Sequence, residues 1–562
     1  MKILGAAIGS CVHVAGVLRF LALAEEDGHE TTFLGPATPI DELIIQIKKH
    51  DPDVVGVSYR LTAVSATNLL VDLKQAVIKS SLEMKRWVLG CTAPTKPIAE
   101  KIGLFEEIFT GFSTDEDALA YLRGHSRIQP ERKHPLNLMT RLTTKSPIPL
   151  IRHHFGLSSV EETIQGITRI AESSVLDVIS IGPDQNAQES FFRPEEMNRN
   201  LEGDGGVPLR EPEDLRQLFE ASQRGNFPLL RCYSGTRDLV SWAQLLKDTI
   251  NNVWCATPLL WYSELDGRSK RTLKEAIVEN QRNHHWHATH DMPVELNEPH
   301  HWSLRSAHDT IAVAMAYLSA YNAKAAGVRH YIAQHMLNTP LGTSPKMDLG
   351  KMLAKIELVE SLHDQTFLSL RQVRPGLFSY PPDLDLGKGQ LASSIYTGMM
   401  LKPHIVHVVG FCEADHAATA EDVIESCKIA RRVVHDCLLG TPNPLSDNEV
   451  LRRKNELVRD AKLLTTAISL LGNKKSVNPL IDPETYVQAV KLGVLDAPHL
   501  RNNPIAKGQL RTKMIDGACI AIDSDYGNPI DEITRLRQLG FEMTPDQALR
   551  LPFTVERFET QR

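Results

Sequence analysis

At 562 residues the chain is too long for one compact core, and its formal charge of -7 gives no reason to expect nucleic acid or an anionic membrane as partner. No apolar run is long enough to span a bilayer, and the first residues enter a core strand at once, so neither a membrane span nor a secretory leader is expected. The eight cysteines are scattered singly, without zinc-ribbon, CxxC or closely clustered spacing, which suits reduced thiols in a cytoplasmic enzyme acting on a small molecule.

The first strand, over residues 2–8, runs into the loop Gly9-Ser10-Cys11-Val12-His13-Val14-Ala15-Gly16. This loop sets an imidazole at the strand's end, with a glycine three residues on. His13 is either an ordinary surface residue or an axial donor to a metal, in which case its second nitrogen needs an orienting partner. Residues 17–24 have helical spacing, stopped by Gly28. Strands follow at 31–35, 53–58 and 87–92, with a helix opening at 40–45. This alternation predicts a doubly wound, flavodoxin-like parallel sheet, in which ligands sit beyond the carboxyl ends of the strands. His13, Ser58, Gly90 and Thr92 would converge there. The glycine-rich fingerprint of a dinucleotide site is missing.

These residues resemble the cobalamin-binding domain of B12-dependent mutases and methionine synthase, whose signature runs Asp-x-His-x-x-Gly, then Ser-x-Leu, then Gly-Gly. His13, Gly16, Ser58 and Gly90 match it, whereas Cys11 stands where the family has its aspartate and Cys91 replaces the second glycine. The resemblance implies that His13 ligates the cobalt from below and that Ser58 lies beside the nucleotide tail. A thiol at Cys11 is a weak partner for the other imidazole nitrogen.

Residues 1–124 are therefore expected to be the cobalamin-binding domain and the polar, proline-bearing stretch 125–146 a linker. Strand–helix alternation resumes from 147, with strands at 178–181, 229–233, 328–332, 366–370 and 405–409. This predicts a (β/α)8 barrel of the TIM type over 147–475, with an irregular C-terminal extension over 476–562. A long amphipathic helix covers 455–471, and the basic runs at 270–271 and 452–454 read as solvated helix faces.

Arg231 lies inside an apolar strand, so it either forms a structural ion pair or clamps a substrate carboxylate. Trp261 and Tyr262 either pack or wall a pocket. The histidines at 284–301, His300 among them, lack zinc-protease spacing and are read as pocket lining or helix-end imidazoles, one of which can act as an acid–base group. Glu413, between a strand and a helix, either caps that helix or holds a ribose or substrate hydroxyl.

From about Leu230 onward the chain resembles the catalytic barrel of glutamate mutase (methylaspartate mutase). The likeness rests on Lys491-Leu492-Gly493-Val494-Leu495-Asp496-Ala497-Pro498, on Lys507-Gly508, on residues 514–520, and on Asn297-Glu298-Pro299 in place of Arg-Glu-Pro. It implies an adenosylcobalamin-dependent radical carbon-skeleton mutase, an isomerase, working as a homodimer. Glu413 would be kept beside the cofactor's ribose, and Arg231 would be kept on substrate. Arginines are missing at Asn297 and near Gln188, the glutamate falls near Ala256, and the ribose-contacting lysine falls near Gly410. The implied substrate is thus a small carboxylic or amino acid other than glutamate, with one carboxylate on Arg231 and neutral contacts from Trp261, Tyr262, Asn297 and His300. A methylcobalamin-dependent methyltransferase is the alternative that suits the lost lysine, and a non-catalytic cobalamin-binding or regulatory protein is the third.

Overall fold

Lys2–Ala7 (β1), Glu30–Phe33 (β2), Val54–Tyr59 (β3), Arg86–Cys91 (β4) and Glu107–Phe109 (β5) make a parallel sheet in the order β2-β1-β3-β4-β5. The computed structural model describes residues 1–111, 113, 115–124, 134–472, 477–549 and 551. It divides into two compact units, residues 1–133 and 134–562. Within the first, successive strand residues point to opposite faces. Ile3 and Val54 pack with Val17, Phe20 and Leu21 of the helix Ala15–Glu26. Leu4 and Val55 pack with Leu43 and Ile47 of the helix Ile40–His50 and with Leu70 and Leu73 of the helix Ala63–Lys79. Burial on both faces is why these strands read as unbroken apolar runs. Strand order reverses between β1 and β3, which creates a crevice at their carboxyl ends.

The second unit begins with the helix Leu138–Lys145, where a polar linker was expected; residues 125–133 of that stretch lie outside the described residues. Eight parallel strands follow: Leu150–Phe155 (β6), Val178–Ile181 (β7), Leu229–Cys232 (β8), Cys255–Thr257 (β9), Val294–Leu296 (β10), His330–Met336 (β11), Leu368–Arg374 (β12) and Ile405–Val408 (β13). They pair as β8-β7-β6-β13-β12-β11-β10-β9, a nearly closed (β/α)8 barrel. The seam between β8 and β9 is stitched outside the regular ladder. The Val253 amide donates to the Leu230 carbonyl at 3.2 Å, the Cys232 amide donates to Asn252 Oδ1 at 2.8 Å, and Ser234 Oγ donates to the Ala256 carbonyl. Leu138 closes the lower end with Leu150, Val178, Leu229, Ile332 and Leu370. An apolar floor of this kind leaves the upper barrel free to be polar.

The long helix expected over 455–471 spans Asn448–Ser469. The extension after it is regular, contrary to expectation: Pro483–Lys491 and Glu532–Gln538 are helices, and Arg511–Ile515 (β14) pairs antiparallel with Ala518–Ile522 (β15). Asp496, in the segment that resembles glutamate mutase, is buried and accepts from the amides of Ala497, Gln509 and Leu510, so it pins two loops together. Arg453 is buried too, and not part of a solvated face: its Nη2 donates to Asp309 Oδ2 at 2.8 Å, while Lys351 reaches Oδ1. Among the described residues no helix is long and apolar enough to cross a membrane.

Candidate functional site

In the first unit the β1 loop carries the expected residues to the crevice. Gly9 takes φ +63, the left-handed region that favours glycine, and a Cβ there would press to 2.9 Å from the Leu69 methyls. The Cys11 thiol is fully buried, accepts from the Arg60 amide at 3.3 Å and faces His13 Nδ1 at 3.9 Å. His13 itself is exposed, so with Nδ1 turned toward Cys11 its Nε2 is the outward nitrogen. Ser58 Oγ donates to the His13 carbonyl at 3.4 Å and ties β3 to the loop. Gly90 stands beside Ser58 on the neighbouring strand, Thr92 Oγ1 meets Thr95 Oγ1 at 3.1 Å, and Gly16 opens onto free space. An outward imidazole nitrogen over a crevice edged by small residues fits a corrinoid.

In the second unit the layer above the floor is charged. Arg152 Nη1 donates to Glu295 Oε2 at 3.0 Å and to Gln372 Oε1 at 2.7 Å, and its Nε donates to Ser180 Oγ at 2.7 Å. Trp254 Nε1 also donates to Glu295 Oε2 at 2.8 Å. Gln334 links this ring to His300 Nδ1 at 2.7 Å, to Gln372 at 3.1 Å and to His407 Nδ1 at 3.3 Å. Burial alone would raise the Glu295 pKa, but Arg152 and Arg231 outweigh it and hold the carboxylate below its usual range. His154 is stacked on Tyr233 and lies 3.3 Å from Arg152 Nη2; burial first, then that guanidinium, push its pKa well below the ordinary value, so it is neutral.

Arg231 is the exception in this ring. It is fully buried, yet none of its three guanidinium nitrogens has a hydrogen-bond partner; it lies over the Tyr233 ring at 4.7 Å and faces Trp254 at 5.9 Å. The sequence left an ion pair or a clamp open, and among the described residues Arg231 forms no ion pair. Two other expected substrate residues also carry buried, unpartnered polar atoms: Asn297 through Oδ1 at the end of β10, and Trp261 through Nε1. His301 Nε2 adds another. Trp261 packs against Trp302 at 4.7 Å and lies under Arg305 at 3.9 Å, while the Tyr262 ring meets His301 at 5.3 Å. His284 and His287 are buried in the helix Leu273–Thr289 and face Thr257 Oγ1 and the Asn283 carbonyl, so they are structural.

At the carboxyl ends of the strands lies a cavity of about 450 Å³. His153, His154, Tyr233, Arg374, Cys412 and Glu413 line it; Arg231, Trp261, Tyr262, Asn297 and His300 do not and are buried. Gln188, where an arginine was sought, donates to the Pro183 carbonyl at 2.7 Å. Sequence reasoning missed Arg152 and Arg374. Arg152 sits beside two histidines and Arg374 ends a strand that already holds Ser369, Arg371 and Gln372, so neither stood out as a lone cation in an apolar strand as Arg231 did. Arg374 is buried with Nε unpartnered and has no carboxylate partner among the described residues. Among the described residues, Arg152, Arg231 and Arg374 thus all act on the one carboxylate Glu295.

Residues 1–100 match the family model of the B12 binding domain, so the chain carries a cobalamin-binding domain at its N-terminus. Among solved structures, a cobalamin-binding protein from Desulfitobacterium hafniense DCB-2 is similar at 20% identity over 22% of this chain and 58% of that one, with a TM-score of 0.20. The match thus spans little more than half of that protein. The cobalamin-dependent S-adenosylmethionine radical enzyme OxsB is similar at 11% identity over 87% of this chain and 70% of that one, with a TM-score of 0.18. NtrX from Brucella abortus follows at 13% identity over 64% and 79%, with a TM-score of 0.17. Likenesses this distant do not bear on chemistry. No curated protein matches the sequence.

Proposed function

We propose that the chain is an adenosylcobalamin-dependent carbon-skeleton mutase acting on a small carboxylic or amino acid, one carboxylate of which is gripped by Arg231. The observation that carries this reading is the isolation of Arg231. A guanidinium removed from water without an anion is costly to hold, and a carboxylate presented to its planar fork relieves that cost with two parallel hydrogen bonds. In this reading residues 1–124 hold the cofactor, and 147–475 with the extension 476–562 form the catalytic barrel.

His13 would ligate cobalt through Nε2, with Ser58, Gly90 and Thr92 along the crevice and Gly16 permitting close approach. Bound there, adenosylcobalamin supplies the adenosyl radical that such a rearrangement needs. The barrel's part is placement and exclusion of water. Arg231 orients the carboxylate, and Asn297 Oδ1 and Trp261 Nε1 are free to contact neutral parts of the substrate. Tyr262 and His300 are assigned to the substrate in this reading, although neither lines the mouth cavity. Neutral His154 and the cavity-lining Glu413 stand at the mouth, where Glu413 can hold a ribose hydroxyl.

Anaerobic EPR of the protein with adenosylcobalamin and a panel of small carboxylic and amino acids tests the proposal. A Co(II)–organic radical pair formed with one of them, and lost in Arg231→Met, is the expected result. Rapid demethylation of methylcobalamin without a radical pair would assign a methyltransferase instead. Cobalamin left unchanged under both conditions would assign a binding protein.

A further inference from the structure

The loop leaving β13 carries a donor set that the cobalamin reading does not use. We propose that Cys412, His416 and Asp422 hold a zinc-type divalent cation at the barrel mouth. One ligand atom from each of the three lies within 4.8 Å of the others. A tetrahedral zinc ion with Zn–S near 2.3 Å and Zn–N or Zn–O near 2.0–2.2 Å separates its ligands by about 3.3–3.6 Å, so a small contraction closes the site.

The surroundings are arranged as a metal site requires. His416 is exposed; its Nδ1 meets Asp415 Oδ2 at 2.7 Å, an orienting contact that sets Nε2 3.1 Å from Asp422 Oδ2. A ligating histidine held by a carboxylate on its other nitrogen is the usual outer-shell arrangement. Asp422 is itself fixed by the start of the helix Ala420–Leu438, because Oδ2 accepts from the Thr419 amide at 2.9 Å and from Thr419 Oγ1 at 2.6 Å. All three of these contacts fall on Oδ2, which leaves Oδ1 for an ion. Cys412 is almost fully buried, so its sulfur cannot be replaced by bulk water.

His153 supplies an independent observation beside Cys412. It is 4% exposed, its Nδ1 is occupied by the His154 carbonyl, and its Nε2 is buried with no partner. Gly410 leaves the space between donors open: a Cβ there would stand 3.3 Å from Cys412 Sγ and 3.5 Å from His153 Nε2. The unpartnered imidazole nitrogen and the thiol therefore both border the space that a side chain at 410 would fill. Sulfur, imidazole and carboxylate together favour zinc over magnesium or calcium. Cys412 and His416, with His153, line the cavity beside Arg374 and Glu413, so a remaining coordination position would face that space. This inference does not depend on the mutase reading, since it concerns only the barrel's own side chains.

The test uses the full chain before any cobalamin is added. Elemental analysis after growth in zinc-containing medium and gel filtration should find about one zinc per chain, and X-ray absorption at the zinc edge should show one sulfur near 2.3 Å. Replacement by Co(II) should give thiolate-to-metal charge-transfer absorption that disappears in Cys412→Ser. Asp415→Asn, which keeps every ligand, should weaken zinc about 10–100-fold. Should Cys412→Ser fail to fold, the wild-type stoichiometry and absorption edge still decide the matter. Wild-type protein without stoichiometric zinc, zinc bound without sulfur, or unchanged affinity in a folded Cys412→Ser would each overturn the proposal and leave His416 as an imidazole bridging two aspartates.

Discussion

Arg152 and Glu295 form an ion pair at 3.0 Å inside the barrel, each about 1% exposed, and this pairing leaves Arg231 without an anion of its own. Glu295 is the one carboxylate in a ring that Arg152, Arg231 and Arg374 all approach closely enough to lower its pKa. Converting it to Glu295→Gln would leave three buried cations uncompensated. The expected loss of folding free energy is about 3–5 kcal/mol, the cost of stripping one partner from a buried pair. Urea unfolding of the two proteins measures it, and a change below about 1 kcal/mol would show that the ring is not held by this charge.

Removing Arg231 should act in the opposite direction. Its guanidinium is buried and unpartnered, so Arg231→Met deletes a desolvated charge and keeps most of the side-chain volume. We expect the variant to be more stable by about 1–3 kcal/mol, the cost of an unmet buried polar group, while turnover is lost. A variant that is both less stable and still active would assign Arg231 a structural role.

The difference between these two arginines also marks how far the sequence could be read. Val178–Ile181 and Ile405–Val408 are legible as strands because β-branched apolar runs bounded by turns have few other uses. Cys255–Thr257, Val294–Leu296 and Glu107–Phe109 are three residues each, shorter than any periodicity can register. Arg231 stood out as a cation in an apolar run, whereas Arg152 was masked by the two histidines beside it. What the sequence could not show is pairing over distance. Glu295 lies 143 residues from Arg152, and Asp309 lies 144 from Arg453, so Arg231 is isolated while Arg152 and Arg453 are satisfied for reasons set by the fold. Cys412 and His416 were visible in one peptide, but their third partner, Asp422, is named only by the helix that starts at Ala420.

Counting arginines in the folded barrel also changes the expected ligand. The sequence reading allowed one carboxylate because it saw Arg231 alone; Arg374 is a second cation without a carboxylate partner among the described residues, and it lines the mouth cavity. Small dicarboxylates should therefore raise the unfolding temperature more than monocarboxylates of equal length. At a hundredfold excess over Kd the gain is about 2.7 kcal/mol. Thermal shift assays with paired acids decide this, and Arg231→Met should abolish the response to both. Equal shifts from the two classes would return the site to one carboxylate.

Cys11 offers a probe of cofactor ligation. Its thiol is fully buried, accepts from the Arg60 amide and stands 3.9 Å from His13 Nδ1, a long contact for orienting an imidazole. In Cys11→Asp a carboxylate would take both donors and fix the tautomer that leaves Nε2 bare. The histidine-ligated share of bound cobalamin should rise, read from nitrogen hyperfine splitting in the Co(II) EPR spectrum. The first unit should lose about 1–3 kcal/mol, because the new carboxylate is desolvated. A smaller histidine-ligated share would count against His13 as the lower ligand.

Glu298 gives the barrel a pH dependence of definite sign. It is fully buried, and burial raises its pKa to about 7, although the amides of Leu259 and Leu260 and the Trp302 indole all donate to it. The unfolded chain releases this proton at the ordinary value of 4.5, so the folded state binds more protons between the two values. Glu298 therefore contributes stability that is fully present below pH 4.5 and is lost as pH rises through about 7. In Glu298→Gln the amide oxygen can still accept from the backbone amides, but the titration is gone. Relative to wild type, the variant should gain about 2 kcal/mol on moving from pH 5.5 to pH 8, measured by denaturant unfolding at the two values. A difference between the proteins that does not change with pH would mean that Glu298 ionises inside the barrel as readily as in water.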